Sequence, residues 1–154
     1  MKNLRDLKNF SLKEFDSLLI ERLNSWSLPV LRVSLGIVFI WFGALKPFGD
    51  SPANEVITKT IYWFDPDIFI PILGVWEILI GICLLYTPLL RFGLFLLALQ
   101  MPGTFLPLVL RPEICFIDVP FNLTLEGQYI IKNLVLIAAA MVVGGRLAPI
   151  KKQQ

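Results

Sequence analysis

Apolar residues fill the chain in four long runs, each broken on one helical face by small or polar residues. The runs cover about Leu28 to Leu45, Ile68 to Tyr86, Leu89 to Leu110 and Gln128 to Gly145. A helix needs ~20 mostly apolar residues to cross the hydrocarbon core of a bilayer, so the pattern predicts four transmembrane spans. On the first run, Arg32, Gly36, Phe39, Gly43 and Lys46 recur at spacings of 4, 3, 4 and 3, which puts them on one face. Gly74, Glu77, Gly81 and Leu84 share a face of the second at 3, 4 and 3. The third run offers Gly93, Gln100, Gly103 or Thr104, and Pro107; the fourth offers Gln128, Lys132 or Asn133, then the alanines at 138 to 140. Small residues let helices approach closely. Gly36, Gly43, Gly74 and Gly81 are therefore read as packing positions of an all-α four-helix bundle with charges inside and Leu, Ile and Phe towards lipid.

The segments between the runs are short or polar. Thr87-Pro88 alone separates the second and third spans, which predicts an antiparallel hairpin. Asp50-Ser51-Pro52 supplies a cap and a first-turn proline for a short helix reaching Trp63, which ends in the aromatic cluster Tyr62-Trp63-Phe64 and is expected to lie in the membrane interface. Arg111 to Gly127 is too polar to span, and Asn122-Leu123-Thr124 within it fits a glycosylation sequon. Residues 1–27 form a separate segment that lacks the apolar core of a signal peptide. Ser11 to Glu14 matches a capping box, with Phe10 and Phe15 as its hydrophobic staple. Leu12, Phe15, Leu19, Leu23 and Trp26 then form one stripe. The stripe suits an amphipathic helix on the membrane surface, or a cytosolic helix packed on a partner subunit. The transmembrane domain is read as residues 28–145 and a short tail as 146–154.

Composition agrees with the pattern: of 154 residues, 56% are hydrophobic and 17% charged, and the mean hydropathy is +0.71, far from a water-soluble domain. Most of the 14 Lys and Arg precede the first span, follow the last, or flank the tight hairpin as Arg91 does. Lys46, Lys59 and Arg111 fall on the other side. The positive-inside rule then puts both termini in the cytoplasm and the two longer loops outside. The chain has no histidine, which removes the commonest metal ligand, the usual neutral-pH base and histidine-ligated haem. Cys83 and Cys115 are too far apart for a redox or zinc pair. Cys83 reads as a core residue, and the role of Cys115 stays open. No metal site and no nucleic-acid partner are expected.

Glu77 is the feature the apolar pattern does not account for. A carboxylate in such a run costs ~2.5–3.5 kcal/mol on insertion-based scales, so it needs a partner or a function. Depth along the helices favours Lys132 as that partner, with Lys46 second and Gln100 as a hydrogen-bond donor. Glu77, Lys132, Lys46, Gln100, Arg32 and Asn133 together are the candidate intramembrane polar cluster. They either fix helix register as a structural ion pair or line a site in the outward half of the bundle. Arg32 and Lys46 also suit snorkelling. Trp41 and Trp76 either line the site or face lipid, and Pro102 and Pro107 would bend the third helix.

Leu31-Arg32, Gly36, Phe39, Gly43 and Lys46, then Gly74, Glu77, Gly81, Leu84 and Arg91, with the run Glu126-Gly127-Gln128-Tyr129-Ile130-Ile131-Lys132-Asn133, resemble the DoxX-like superfamily of small four-helix membrane proteins, nearest to its YkgB-type branch. The resemblance covers about Leu28 to Val143. Many relatives carry aspartate where this chain has Asn133, and the redox-active cysteine pairs of some relatives are absent. The resemblance implies an inner-membrane protein tied to thiol or sulfur redox, quinone-linked oxidoreductases or oxidative-stress resistance. Three functions are consistent with it. The first is a redox-associated subunit that binds a quinone or similar lipophile, with Lys132, Lys46 and Gln100 at its polar head and Glu77 as proton carrier. The second is a small-solute transporter or exporter, and the third is a non-catalytic scaffold that recruits an oxidoreductase, another membrane partner or a second copy of itself.

Overall fold

The computed structural model describes residues 4–49, 51 and 53–148, with side chains described from residue 12 onward. Asp50 and Pro52, the side chains of Phe10 and Ser11, and the basic residues Lys2, Lys151 and Lys152 lie outside that description. Among the described residues, four helical stretches are long and apolar enough to cross a membrane: Leu12–Leu45, Pro66–Leu85, Thr87–Leu110 and Leu125–Gly145. The chain is a multi-pass, nearly all-α membrane protein.

Helix α1 runs unbroken from Leu4 to Leu45. It begins before Ser11, so the capping box expected there is not a helix start; Leu4, Arg5, Leu7 and Lys8 are good helix formers that carry the helix past it. The expected division between residues 27 and 28 also appears as no loop. It is marked instead by Pro29, inside the helix, whose missing N–H removes one backbone hydrogen bond. Every side chain from residue 12 to residue 27 is exposed, and burial begins at Leu28. Residues 12–27 thus continue the first span as a helix that projects from the bundle.

After the short helix α2 (Ala53–Thr60), α3 (Pro66–Leu85) starts with the Asp65 side chain accepting from the Asp67 backbone N–H. A single 3-10 turn, Thr87–Leu89, reverses the chain into α4 (Leu90–Leu110). The segment read as an irregular polar loop contains more structure than the sequence suggests. It holds a one-turn helix α5 (Pro112–Cys115) and a hairpin of β1 (Phe116–Asp118) and β2 (Asn122–Leu123), antiparallel and irregular in register. Strands this short leave no alternation to read. Thr124 then caps α6 (Leu125–Ile131): its hydroxyl accepts from Gly127 N–H at 3.1 Å and donates to the Ile114 carbonyl at 2.6 Å. The sequon threonine is therefore tied into the fold. Lys132 interrupts the fourth span, and α7 (Asn133–Gly145) completes it.

Round the bundle, α1 and α4 are each flanked by α3 on one side and α7 on the other. The tightest seam is between α1 and α3, which run antiparallel. A Cβ on Gly43 would lie 2.6 Å from the Gly74 carbonyl oxygen, and one on Gly74 would lie 2.7 Å from that of Gly43. Gly36 and Gly81 face each other in the same way, a Cβ on Gly81 falling 2.6 Å from the Gly36 carbonyl oxygen. Two glycine pairs, a heptad apart on both helices, let the backbones touch. The core then fills with Leu35, Phe39, Ile80, Leu84, Leu96, Leu97, Met101 and Val143. Ile72, Val75, Leu79 and Ile82 are exposed on the opposite face of α3, the side a bilayer would cover.

Candidate functional site

The site forms where the glycine seam ends. Lys46 follows the last residue of α1, and its Cβ lies 3.1 Å from where a Cβ on Gly74 would stand. With no side chain at Gly74, the lysine can turn inward beside α3 and reach Glu77, one turn deeper. The Lys46 ammonium donates to Glu77 Oε2 in a buried ion pair, with the two side chains 5% and 11% exposed. From the other flank, Gln100 on α4 donates through Nε2 to Glu77 Oε1 at 2.7 Å. Both carboxylate oxygens are thus bound, each by a different neighbouring helix.

The expected pairing of Glu77 with Lys132 is not what forms; Lys46, the second candidate, occupies that role. The reason is topological. Glu77 is on α3, whose neighbours are α1 and α4, whereas Lys132 belongs to the fourth span on the far side of both. Lys132 is exposed at the break between α6 and α7, with its ammonium 4.9 Å from the Tyr129 ring centroid, a cation–π distance. Asn133, at the start of α7, is half-buried. Arg32 stands at the opposite end of the bundle. Its Nε donates to the Leu84 carbonyl at 2.6 Å, and its Nη2 donates to the Leu85 carbonyl at 2.6 Å and the Thr87 hydroxyl at 2.9 Å. It therefore caps the C-terminus of α3, where free carbonyls and the helix dipole favour a cation. Arg91 donates to the carbonyl of Ala148, in the segment that follows α7.

Sequence reasoning missed the two bonds that hold α2, one of them beside the triad. Asn54 of α2 donates to the Lys46 carbonyl at 3.2 Å, fastening α2 to the residue that holds Glu77, and Arg111 donates to the Lys59 carbonyl at the other end of α2 at 2.9 Å. Trp76, whose role was open, is half-buried, with its indole N–H buried and unbonded. Gln100 Oε1 and Asn54 Oδ1 are likewise buried without a partner. Buried polar atoms are nearly always satisfied in folded proteins, so one free donor and two free acceptors on residues in or next to the Glu77 network stand out.

No cluster of His, Cys, Asp and Glu able to hold a metal ion occurs among the described residues. No protein-family model matches the chain, and no characterised protein or solved structure shows significant similarity to it. Fold and site together define an integral membrane helical bundle with a buried Lys–Glu–Gln triad.

Proposed function

We propose that the triad is the polar end of a site for a small lipophile, of which a quinone is the best-fitting class, in a redox-associated inner-membrane subunit of DoxX-like type. The observation that carries this reading is the unbonded, buried amide oxygen of Gln100 on the triad itself; the buried indole N–H of Trp76, one residue before Glu77 in the chain, is a second unbonded group. A quinone carbonyl accepts from a donor such as an indole N–H, and a quinol hydroxyl donates to an acceptor such as an amide oxygen. Glu77, held by Lys46 and Gln100, is the group that would exchange a proton with such a ligand. The resemblance read from the sequence supports the same class, and the exposed apolar flanks of the helices give a lipophile its route from the bilayer.

The test is mass spectrometry of organic extracts from the detergent-purified protein, wild type beside Glu77→Gln. Glutamine keeps the shape of the side chain and removes its charge. A quinone that co-purifies with the wild type and is lost from a Glu77→Gln protein of unchanged helicity supports the reading. If the wild type carries nothing beyond bulk lipid, the reading fails and transport or scaffolding replaces it.

A further inference from the structure

At the end of the bundle opposite Glu77, a cavity of about 370 Å³ opens between α1, the Thr87 turn and the end of α7. That volume is in the range of small-ligand sites. Leu28, Val33 and Val143 are among its apolar walls, and Arg32, Arg146 and Thr87 are its polar lining. Arg32 spends Nε and Nη2 on the α3 cap and the Thr87 hydroxyl, while its Nη1 has no hydrogen-bond partner among the described residues. Neither arginine forms a salt bridge with a described carboxylate. Two cations therefore face one apolar recess with no described acid to balance them. The start of α4 adds to the imbalance, since it has no side-chain cap and no acidic residue in its first turn. From the cavity, Val30, Val33 and Ile37 continue along α1 as an exposed aliphatic ridge, 54%, 45% and 52% accessible.

We propose that this cavity seats the phosphate of an anionic phospholipid from the leaflet on the side of the chain termini. Arg146 and the free Nη1 of Arg32 hold the phosphate oxygens, and an acyl chain lies along Val33 and Ile37. Guanidinium groups bind phosphate through paired, charge-assisted hydrogen bonds. The aliphatic ridge leading out of the cavity favours a lipid over free phosphate.

Native mass spectrometry of the full chain, released from detergent with equal amounts of phosphatidylglycerol and phosphatidylcholine, tests the proposal. The variants are Arg146→Gln, which removes an exposed side chain that no described residue bonds, and Arg22→Gln, which removes one charge from α1 outside the cavity. The wild type is expected to retain phosphatidylglycerol over phosphatidylcholine by about tenfold, because both lipids offer a phosphate but the choline ammonium of the second is repelled by the Arg32 and Arg146 guanidiniums. Arg146→Gln abolishes that preference, and Arg22→Gln leaves it intact. Equal retention of both lipids, or the same loss from both variants, overturns the proposal. Millimolar inorganic phosphate that displaces the phosphatidylglycerol overturns the lipid assignment and makes free phosphate the ligand.

Discussion

Lys46 reaches Glu77 past the point where Gly43 and Gly74 touch, so the ion pair and a backbone-to-backbone helix contact share one short stretch of the α1–α3 seam. Removing one member of a buried pair leaves an uncompensated charge, which costs about 3–5 kcal/mol, whereas removing both is often far cheaper. Lys46→Met and Glu77→Leu are each expected to destabilise the protein strongly, and the double variant much less than their sum. Thermal unfolding in detergent across the four proteins measures the coupling. Strict additivity would reject the pairing, and Lys132→Met should show no coupling to Glu77.

The seam itself is testable at glycines that differ only in surroundings. Alanine at Gly43 or Gly81 would press its Cβ to within 2.6 Å of a backbone oxygen on the facing helix, whereas nothing lies within 4 Å of a Cβ at Gly103. Backbone cannot yield as a flexible side chain does, so Gly43→Ala and Gly81→Ala should each cost about 1–3 kcal/mol. Gly103→Ala should be neutral or slightly stabilising. Equal melting temperatures for all three would show that α1 and α3 do not meet at these residues.

Arg32 satisfies carbonyls at the end of α3 that no intrahelical N–H reaches. Arg32→Met keeps most of the aliphatic bulk and removes the bonds, each worth about 1.5–3 kcal/mol when the donor is charged. The last turn of α3 and the Thr87 turn are expected to fray. Hydrogen exchange should rise at Leu84 to Leu89 while exchange near Glu77 stays slow. Unchanged protection at the turn would mean that the cap contributes nothing.

Cys115 is fully buried between α4 and α6. Burial raises its thiol above the ordinary range, and the carboxylates of Glu126 and Glu113 push it further the same way. Only the thiolate is nucleophilic, so a raised pKa leaves less reactive sulfur at neutral pH, and reactivity grows only well into the alkaline range. In a Cys83→Ala background, iodoacetamide labelling of the folded protein should be slow at pH 7 and climb with pH. Glu126→Gln should shift the climb to lower pH. Labelling at pH 7 as fast as that of free cysteine would contradict this.

The spans were legible because a bilayer imposes a length and a polarity on each helix, and Leu28–Leu45 or Leu89–Leu110 meet both without any knowledge of packing. That Glu77 needs a partner was equally legible from its apolar neighbours. Which partner was not, because depth along a helix says nothing about which helices are adjacent. The short Thr87-Pro88 turn makes α3 and α4 neighbours, and the α1–α3 glycine seam adds Lys46 on the other flank. Lys132 sits on the fourth span, across the bundle from α3. Arg32 shows the same limit: its heptad spacing from Lys46 puts both on one face, yet the two lie at opposite ends, one holding a carboxylate and the other capping α3. The β1–β2 hairpin was hidden because its strands are too short to carry a period.

Pro29 gives α1 a mechanical property that neither of its halves has alone. The helix is ~63 Å long at 1.5 Å per residue, over its 42 residues, and the hydrocarbon core is only ~30 Å thick. The proline deletes one rung of the backbone ladder where the helix leaves the bundle, so the stiffness of the helix is lowest there. A force applied to the exposed Leu12, Phe15 and Trp26 would bend α1 at this point first. The Gly36–Gly81 contact lies beyond it, on the bundle side, and the lysine that holds Glu77 lies further still.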